Sequence, residues 1–249
     1  MRRAIRIGLG VLAAGGAGLA LWLVLTVPAI NAVSDYRPAS PLRVYSADGR
    51  LIGQYGREYR LPRSTQRIPE DLRRAFLAAE DADFYDHPGI DILGILRALY
   101  ADIKAGAFVQ GGSTITQQVA RTFLLTREQT LMRKLRETVL AFEIEVALSK
   151  REILHRYVNQ LYLGSGAYGV AAAARTYYGK SLDQLTLAEM ATLASLPKGP
   201  SYYNPIRHPD RIRHRRAYVL HQMLDRGWAD PDAVLEALAT PIHASYHPP

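Results

Sequence analysis

From Ile7 to Ile30 the chain carries no charged side chain, and Met1-Arg2-Arg3-Ala4-Ile5-Arg6 before it is basic. As a helix rising about 1.5 Å per residue, that run spans roughly 36 Å, enough to cross a bilayer core with some tilt. Small residues at Ala29-Ile30-Asn31-Ala32 also suit signal-peptide cleavage. The apolar stretch is long for a signal sequence, which favours an uncleaved anchor. Arginines before the span and a long polar remainder after it place the N-terminus inside and the bulk of the chain outside. Gly15, Gly16 and Gly18 permit close helix packing, but small residues are ordinary in membrane helices and specify no partner. The expected division is 1–6 as cytoplasmic tail, 7–30 as transmembrane helix, 31–60 as linker and β-hairpin, and 61–249 as a folded domain.

The chain beyond the anchor is long enough to bury a core of its own. The absence of cysteine excludes disulfides and thiol chemistry. A net charge of +8 points to nucleic acid, anionic lipid or an acidic substrate. Export excludes nucleic acid as a sensible partner and leaves membrane lipid headgroups and a diphosphate-bearing substrate.

Downstream of the apolar run, Leu42–Ser46 and Leu51–Tyr55 flank Asp48-Gly49, a hairpin signal and the only clear β element. The rest reads helical. Thr126-x-x-Gln129, Ser149-x-x-Glu152 and Thr186-x-x-Glu189 are candidate capping boxes. Leu135, Val139, Phe142 and Val146 follow helical spacing and predict the buried face of a long helix. Ile153, Leu154, Tyr157 and Leu161 repeat the pattern. Further helices fit Val170–Tyr178, ending at Gly179, and Arg211–Arg226, ending at Gly227, with a proline-bearing ordered loop over Pro197–Pro209.

Three clusters carry chemistry. Glu80 closes a helix begun near Pro69 and shares a side with Phe76 and Phe84, four residues away on either hand. A carboxylate against aromatic surface is partly desolvated and becomes a better proton acceptor; the structural alternative is a solvated acidic helix end. Gly111-Gly112-Ser113-Thr114-Ile115-Thr116-Gln117-Gln118 offers free backbone N–H groups, hydroxyls and carboxamides suited to sugar or phosphate; the alternative is a turn opening a helix. Arg133, Lys134 and Glu137 project to one side of their helix, away from Leu135 and Val139. They form either a solvated ion-pair face or a cradle for diphosphate, with a carboxylate to orient the cations or seat a divalent metal.

Four ordered motifs resemble those of the peptidoglycan glycosyltransferases, glycosyltransferase family fifty-one. They are Glu80-Asp81-x-x-Phe84-x-x-His87-x-Gly89, Gly111 to Gln118, Arg133-Lys134-x-x-Glu137, and Lys150-x-x-Ile153-Leu154-x-x-Tyr157-Val158-Asn159. Val158 stands where leucine is usual. The likeness continues through Tyr178-Gly179-Lys180 and Leu196–Ser201, and is greatest to the front portion of class A penicillin-binding proteins.

The resemblance implies a mainly α, lysozyme-like, two-lobed helical domain with a small N-terminal β-hairpin, preceded by one transmembrane helix. It implies a bacterial cytoplasmic (inner) membrane enzyme, single-pass, with its domain on the periplasmic or extracellular side, that polymerises lipid II with inversion. Glu80 would be the general base and Glu137 the second catalytic carboxylate, positioning cations or metal. Arg133, Lys134, Arg121 and Lys198 would meet the diphosphate. Asp81, Phe84, His87, Ser113, Thr114, Gln117, Gln118, Asn159 and Ser201 would line the substrate cleft. Mg²⁺ or Mn²⁺, held at Glu80 or Glu137, is an admissible cofactor. The implied partners are lipid II, the growing glycan strand, membrane lipids and other cell-wall synthesis proteins. The apolar span Ile90–Phe108 is either a core helix or, as the resemblance favours, a segment dipping into the outer leaflet.

Rival functions are a lysozyme-like hydrolase or lytic transglycosylase, and a noncatalytic membrane scaffold. Ser195-x-x-Lys198 matches the first transpeptidase pattern, but no Lys-Thr-Gly follows it, so it reads as coincidence. His243 and His247 read as an exposed tail, and the uncapped ending His247-Pro248-Pro249 favours a longer parent chain.

Overall fold

The computed structural model describes residues 42–55, 58–61, 68–106, 112–123 and 130–248, with Gly18 alone further upstream. The expected transmembrane helix, the Thr126 capping box, Gly111 and Phe108 lie outside the described residues. Among those described, no helix is long and apolar enough to cross a membrane.

The chain opens with the expected hairpin, β1 (Leu42–Tyr45) and β2 (Leu51–Tyr55), paired antiparallel around Asp48-Gly49. It is not the only β element. β3 (Tyr59–Arg60) pairs in parallel with β4 (Ala167–Tyr168), and the Arg60 guanidinium lies over the Tyr168 ring. Strands of two residues leave no alternation to read, so their pairing is decided by tertiary contact.

Among the described segments from residue 42 onward the helices are, in order, α1 (Glu70–Glu80), α2 (Ile92–Ala105), α3 (Ile115–Phe123), α4 (Leu131–Ala147) and α5 (Lys150–Gln160). After β4 come α6 (Val170–Tyr178), α7 (Leu187–Ser195), α8 (Pro209–Asp225) and α9 (Pro231–Ala239). The Ser149–Glu152 and Thr186–Glu189 boxes cap α5 and α7 as predicted, satisfying free N–H groups of each first turn. α4 is capped by Thr130, whose hydroxyl accepts from the Arg133 N–H. α9 was not anticipated, although Asp230-Pro231 is a helix-start signal: the aspartate caps the next turn and the proline fixes its first φ.

The predicted buried face of α4 is overturned. Leu135, Phe142 and Val146 are exposed, Val146 by 90%. The buried row is Glu137, Leu140, Ala141 and Ile144, on the opposite side of the helix. An apolar period marks burial only where the opposite row is free to face water. Here that row holds a carboxylate gripped by cations from α3 and α4, and it turns inward.

α7 packs on α1 and α8, and α9 closes that group; α3 packs on α4 and α5 to make the second. The groups meet where α1 touches α3 and α5, over a continuous core that includes Leu72, Phe76, Ile115, Ile153, Leu154 and Leu193. α2 stands apart from both. Ile92, Leu93, Leu96, Tyr100 and Ile103 are more than half exposed on it, so it is not a core helix.

Candidate active site

Glu80 is the last residue of α1, whose own last turn holds no basic residue; the cation at that end is Arg215 of α8, which donates to the Ala79 carbonyl at 2.9 Å. Phe76 and Phe84, its expected aromatic neighbours, are fully buried, and its own side chain is 13% exposed. Burial pushes its carboxyl up from the usual glutamate range; the Gln118 amide, Arg215 and Lys198 pull it back in part, and Asp81 adds to the rise. Gln118 Nε2 donates to Oε2 at 2.9 Å, and Arg215 Nη2 stands 3.9 Å from Oε1. The result is a partly desolvated carboxylate with fixed orientation, the character required of a general base.

α3 connects this carboxylate to the cation cluster. Gln118 and Arg121 lie one helical turn apart, Gln118 on Glu80 and Arg121 on Glu137. Glu137 is fully buried; it accepts from Arg121 Nε at 3.2 Å and Lys134 Nζ at 3.3 Å, and Arg133 Nε stands at ion-pair distance, 3.4 Å, without a hydrogen bond. Three cations around one carboxylate leave a surplus of two positive charges, and Arg121 and Lys134 remain almost half exposed. Lys134 Nζ also donates to Ser113 Oγ at 2.9 Å and to Gln117 Oε1 at 3.4 Å. Glu137 therefore gathers cations and presents them outward; its own oxygens are taken.

Some residues expected to touch substrate make internal contacts instead. Asp81 accepts from the Ile115 N–H at 2.8 Å and pairs with His87 Nε2 at 2.9 Å, all within the buried interior. Thr114, also buried, donates to the Gly89 carbonyl and accepts from the Gln117 N–H. Gly89 has φ of +88°, and a Cβ there would come within 2.9 Å of Glu145 Cγ, so the turn needs glycine. Asn159 is buried and donates to His155 O. Lys198 is exposed and acts electrostatically on Glu80, so it belongs to that side of the cleft and not to the Glu137 cluster. Ser201 is exposed in the turn after α7. Ser195 is buried and donates to Ala191 O, in keeping with a coincidental transpeptidase pattern.

Sequence reasoning missed four partners of this site. Arg215 was only part of a basic helix, and Tyr157, though in the fourth motif, was read only as part of a core face. Lys150 Nζ donates to the His87 carbonyl at 2.6 Å and pairs with Glu145 at 2.8 Å. Arg226 Nη1 donates to the Ala82 carbonyl and pairs with Asp83. Lys150 and Tyr157 belong to the fourth motif, but the contacts of all four residues reach partners tens of residues away along the chain or more, and no local signal announces those contacts.

The expected divalent metal does not fit these carboxylates. Both oxygens of Glu137 already face cations, and a dication there would add to an uncompensated positive field. Glu80 is held by an amide donor with an arginine beside it. Among the described residues no group of three acidic, histidine or cysteine side chains converges on one point.

A sequence model of the family described as Transglycosylase matches residues 48–224. The chain is 47% identical to penicillin-binding protein 1A of Escherichia coli (strain K12), over 93% of its own length and 27% of that protein. It is 52% identical to penicillin-binding protein 1A of Haemophilus influenzae, over 83% of itself and 24% of that protein. The crystal structure of the Haemophilus protein aligns with a TM-score of 0.51 and 33% identity, covering 85% of this chain and 22% of that one. The chain thus spans about a quarter of the length of these relatives.

Proposed function

This chain belongs to the transglycosylase family, and from that premise we propose that it is a peptidoglycan glycosyltransferase that polymerises lipid II into glycan strands. The acceptor's N-acetylglucosamine 4-hydroxyl attacks C1 of the donor's N-acetylmuramic acid as Glu80 takes its proton. The C1–O bond to diphosphate breaks, the anomeric centre inverts, and polyprenyl diphosphate leaves as an anion. A leaving group already stable as an anion needs positive charge rather than a second acid. Arg121, Arg133 and Lys134 supply that charge, with Glu137 holding them together. Asp81, His87 and Thr114 hold the turn behind Glu80, Ser113 and Gln118 line the wall between base and cations, and Gln117, expected there, is buried behind that wall with its amide on Thr114 and Lys134. No step passes through a metal.

The observation that carries this reading is the bridge along α3: one turn of helix joins a buried carboxylate to a cluster with surplus positive charge. The exposed apolar side of α2 supports a place for the polyprenyl tail at the outer leaflet, and the charge-free run over 7–30 supports a single-pass inner-membrane anchor. The growing strand and other cell-wall synthesis proteins are the partners this activity requires.

The test is turnover of lipid II by the full chain in detergent or bilayer. Glu80→Gln should lower it by roughly a hundred- to ten-thousand-fold. Wild-type turnover in that variant overturns the assignment of the base, and cleavage of lipid-free glycan in place of polymerisation favours a hydrolase.

A further inference from the structure

Gln118 faces Glu80 with its amide nitrogen because something holds its amide oxygen. Tyr157, on α5, donates from Oη to Gln118 Oε1 at 3.3 Å, while Gln118 Nε2 donates to Glu80 Oε2 at 2.9 Å. The Tyr157 ring is set in turn by an edge-on contact with Phe76, centroids 6.3 Å apart, and Phe76 lies one turn before Glu80 on α1. Phe76, Tyr157, Gln118 and Glu80 form a closed circuit through α1, α5 and α3. We propose that Tyr157 is a positioning residue for the base, acting only through Gln118, whose carboxamide it locks in the one orientation that donates to Glu80.

A carboxamide has a donor end and an acceptor end of nearly the same shape. Turned over, Gln118 would aim its oxygen at the carboxylate, placing acceptor against acceptor. The Tyr157 hydroxyl prevents this, because a phenol that keeps its proton can donate to the amide oxygen. Burial and the neighbouring Glu80 and Asp81 hold that proton on Tyr157 well past the ordinary phenol range. Tyr157 itself is 3% exposed and has no route to substrate. It therefore bears on the rate and not on substrate affinity.

The proposal rests on Glu80 being the base, and the experiment separates the two. Turnover of lipid II by the full chain is measured for Tyr157→Phe, Gln118→Met and the double variant, with unfolding temperatures alongside. Tyr157→Phe should lower kcat about tenfold, the loss of one buried orienting hydrogen bond, and leave KM unchanged. The double variant should be no slower than Gln118→Met alone, since Tyr157 has nothing left to orient. p-Aminophenylalanine at position 157, which returns a donor to the same ring, should recover most of kcat and provides the test even if Tyr157→Phe proves unstable. Wild-type kcat in Tyr157→Phe, full additivity in the double variant, or no recovery with the amino ring overturns the proposal. If Glu80→Gln is inactive while Tyr157→Phe is unimpaired, the base stands and the positioning role falls. If Glu80→Gln turns over normally, the base assignment falls first.

Discussion

Glu80 is held at a cost to stability. Its carboxyl sits above its unfolded value, so the unfavourable ionised form appears as pH rises through the folded pKa and is absent below the unfolded value of 4.5. Glu80→Gln should therefore unfold at a higher temperature than the wild type at neutral pH. That gain should fade as pH falls through the folded pKa toward 4.5 and be gone below it, read by calorimetry across a pH series. Turnover should show the same group from the other side, failing in acid at a higher pH than a solvated glutamate would dictate. Glu137 has the opposite effect. Removing its charge in Glu137→Gln strips the shared counter-ion from three cations and should cost about 1–3 kcal/mol. Phosphate or sulfate should raise the unfolding temperature of that variant more than that of the wild type, because a solution anion can take the vacated role. Equal salt responses would count against Glu137 as the organiser of the cluster. That Glu80 is desolvated at the end of an apolar-faced helix was legible from spacing; that Glu137 is buried was not, because its counter-ion Arg121 comes from a helix whose distance no pattern encodes.

Among the helices, capping chemistry was the most legible signal. The Ser149 and Thr186 boxes and the glycine after α6 each stand where local hydrogen bonding demands. Apolar periodicity was less dependable. On α4 it marked the outward row, and on α2 it left core and membrane readings equally open. α2 is now the better-defined case, since Leu93 and Ile103 are each more than 70% exposed and none of the described helices packs over them. Replacing both with aspartate should raise KM for lipid II in bilayers at least tenfold, about 1.4 kcal/mol or more of lost membrane contact. The unfolding temperature should barely move. A matching loss of fold would show instead that α2 is needed by the domain itself.

Across the whole molecule, the turn from Asp81 to Asp91 is where distant segments converge. Thr114 and the first residue of α3 hold it through the Gly89 carbonyl and Asp81, α5 through Lys150 on the His87 carbonyl, Arg226 after α8 through Asp83, and α2 through Arg97 on Asp83, while Arg215 of α8 grips the Ala79 carbonyl at the end of α1 just before it. Lys150→Met would leave a buried carbonyl and the Glu145 carboxylate without their cation. It should cost about 2–3 kcal/mol and speed amide hydrogen exchange across 81–91 ahead of the rest of the domain. Uniform exchange in that variant would mean the turn holds itself. None of these grips is adjacent in sequence to what it holds, so the motifs were readable, Lys150 and Thr114 among them, while the contacts that join them were not.

Transplantation offers a different measure of the same turn. A graft of residues 80–91 into a related scaffold would carry the motif and leave its anchors behind. The smallest portable unit includes Thr114 and Ile115, Lys150 with Glu145, Arg215 and Arg226. Exchange between relatives should then succeed for the whole helical domain and fail for the loop, however closely the loop sequences agree.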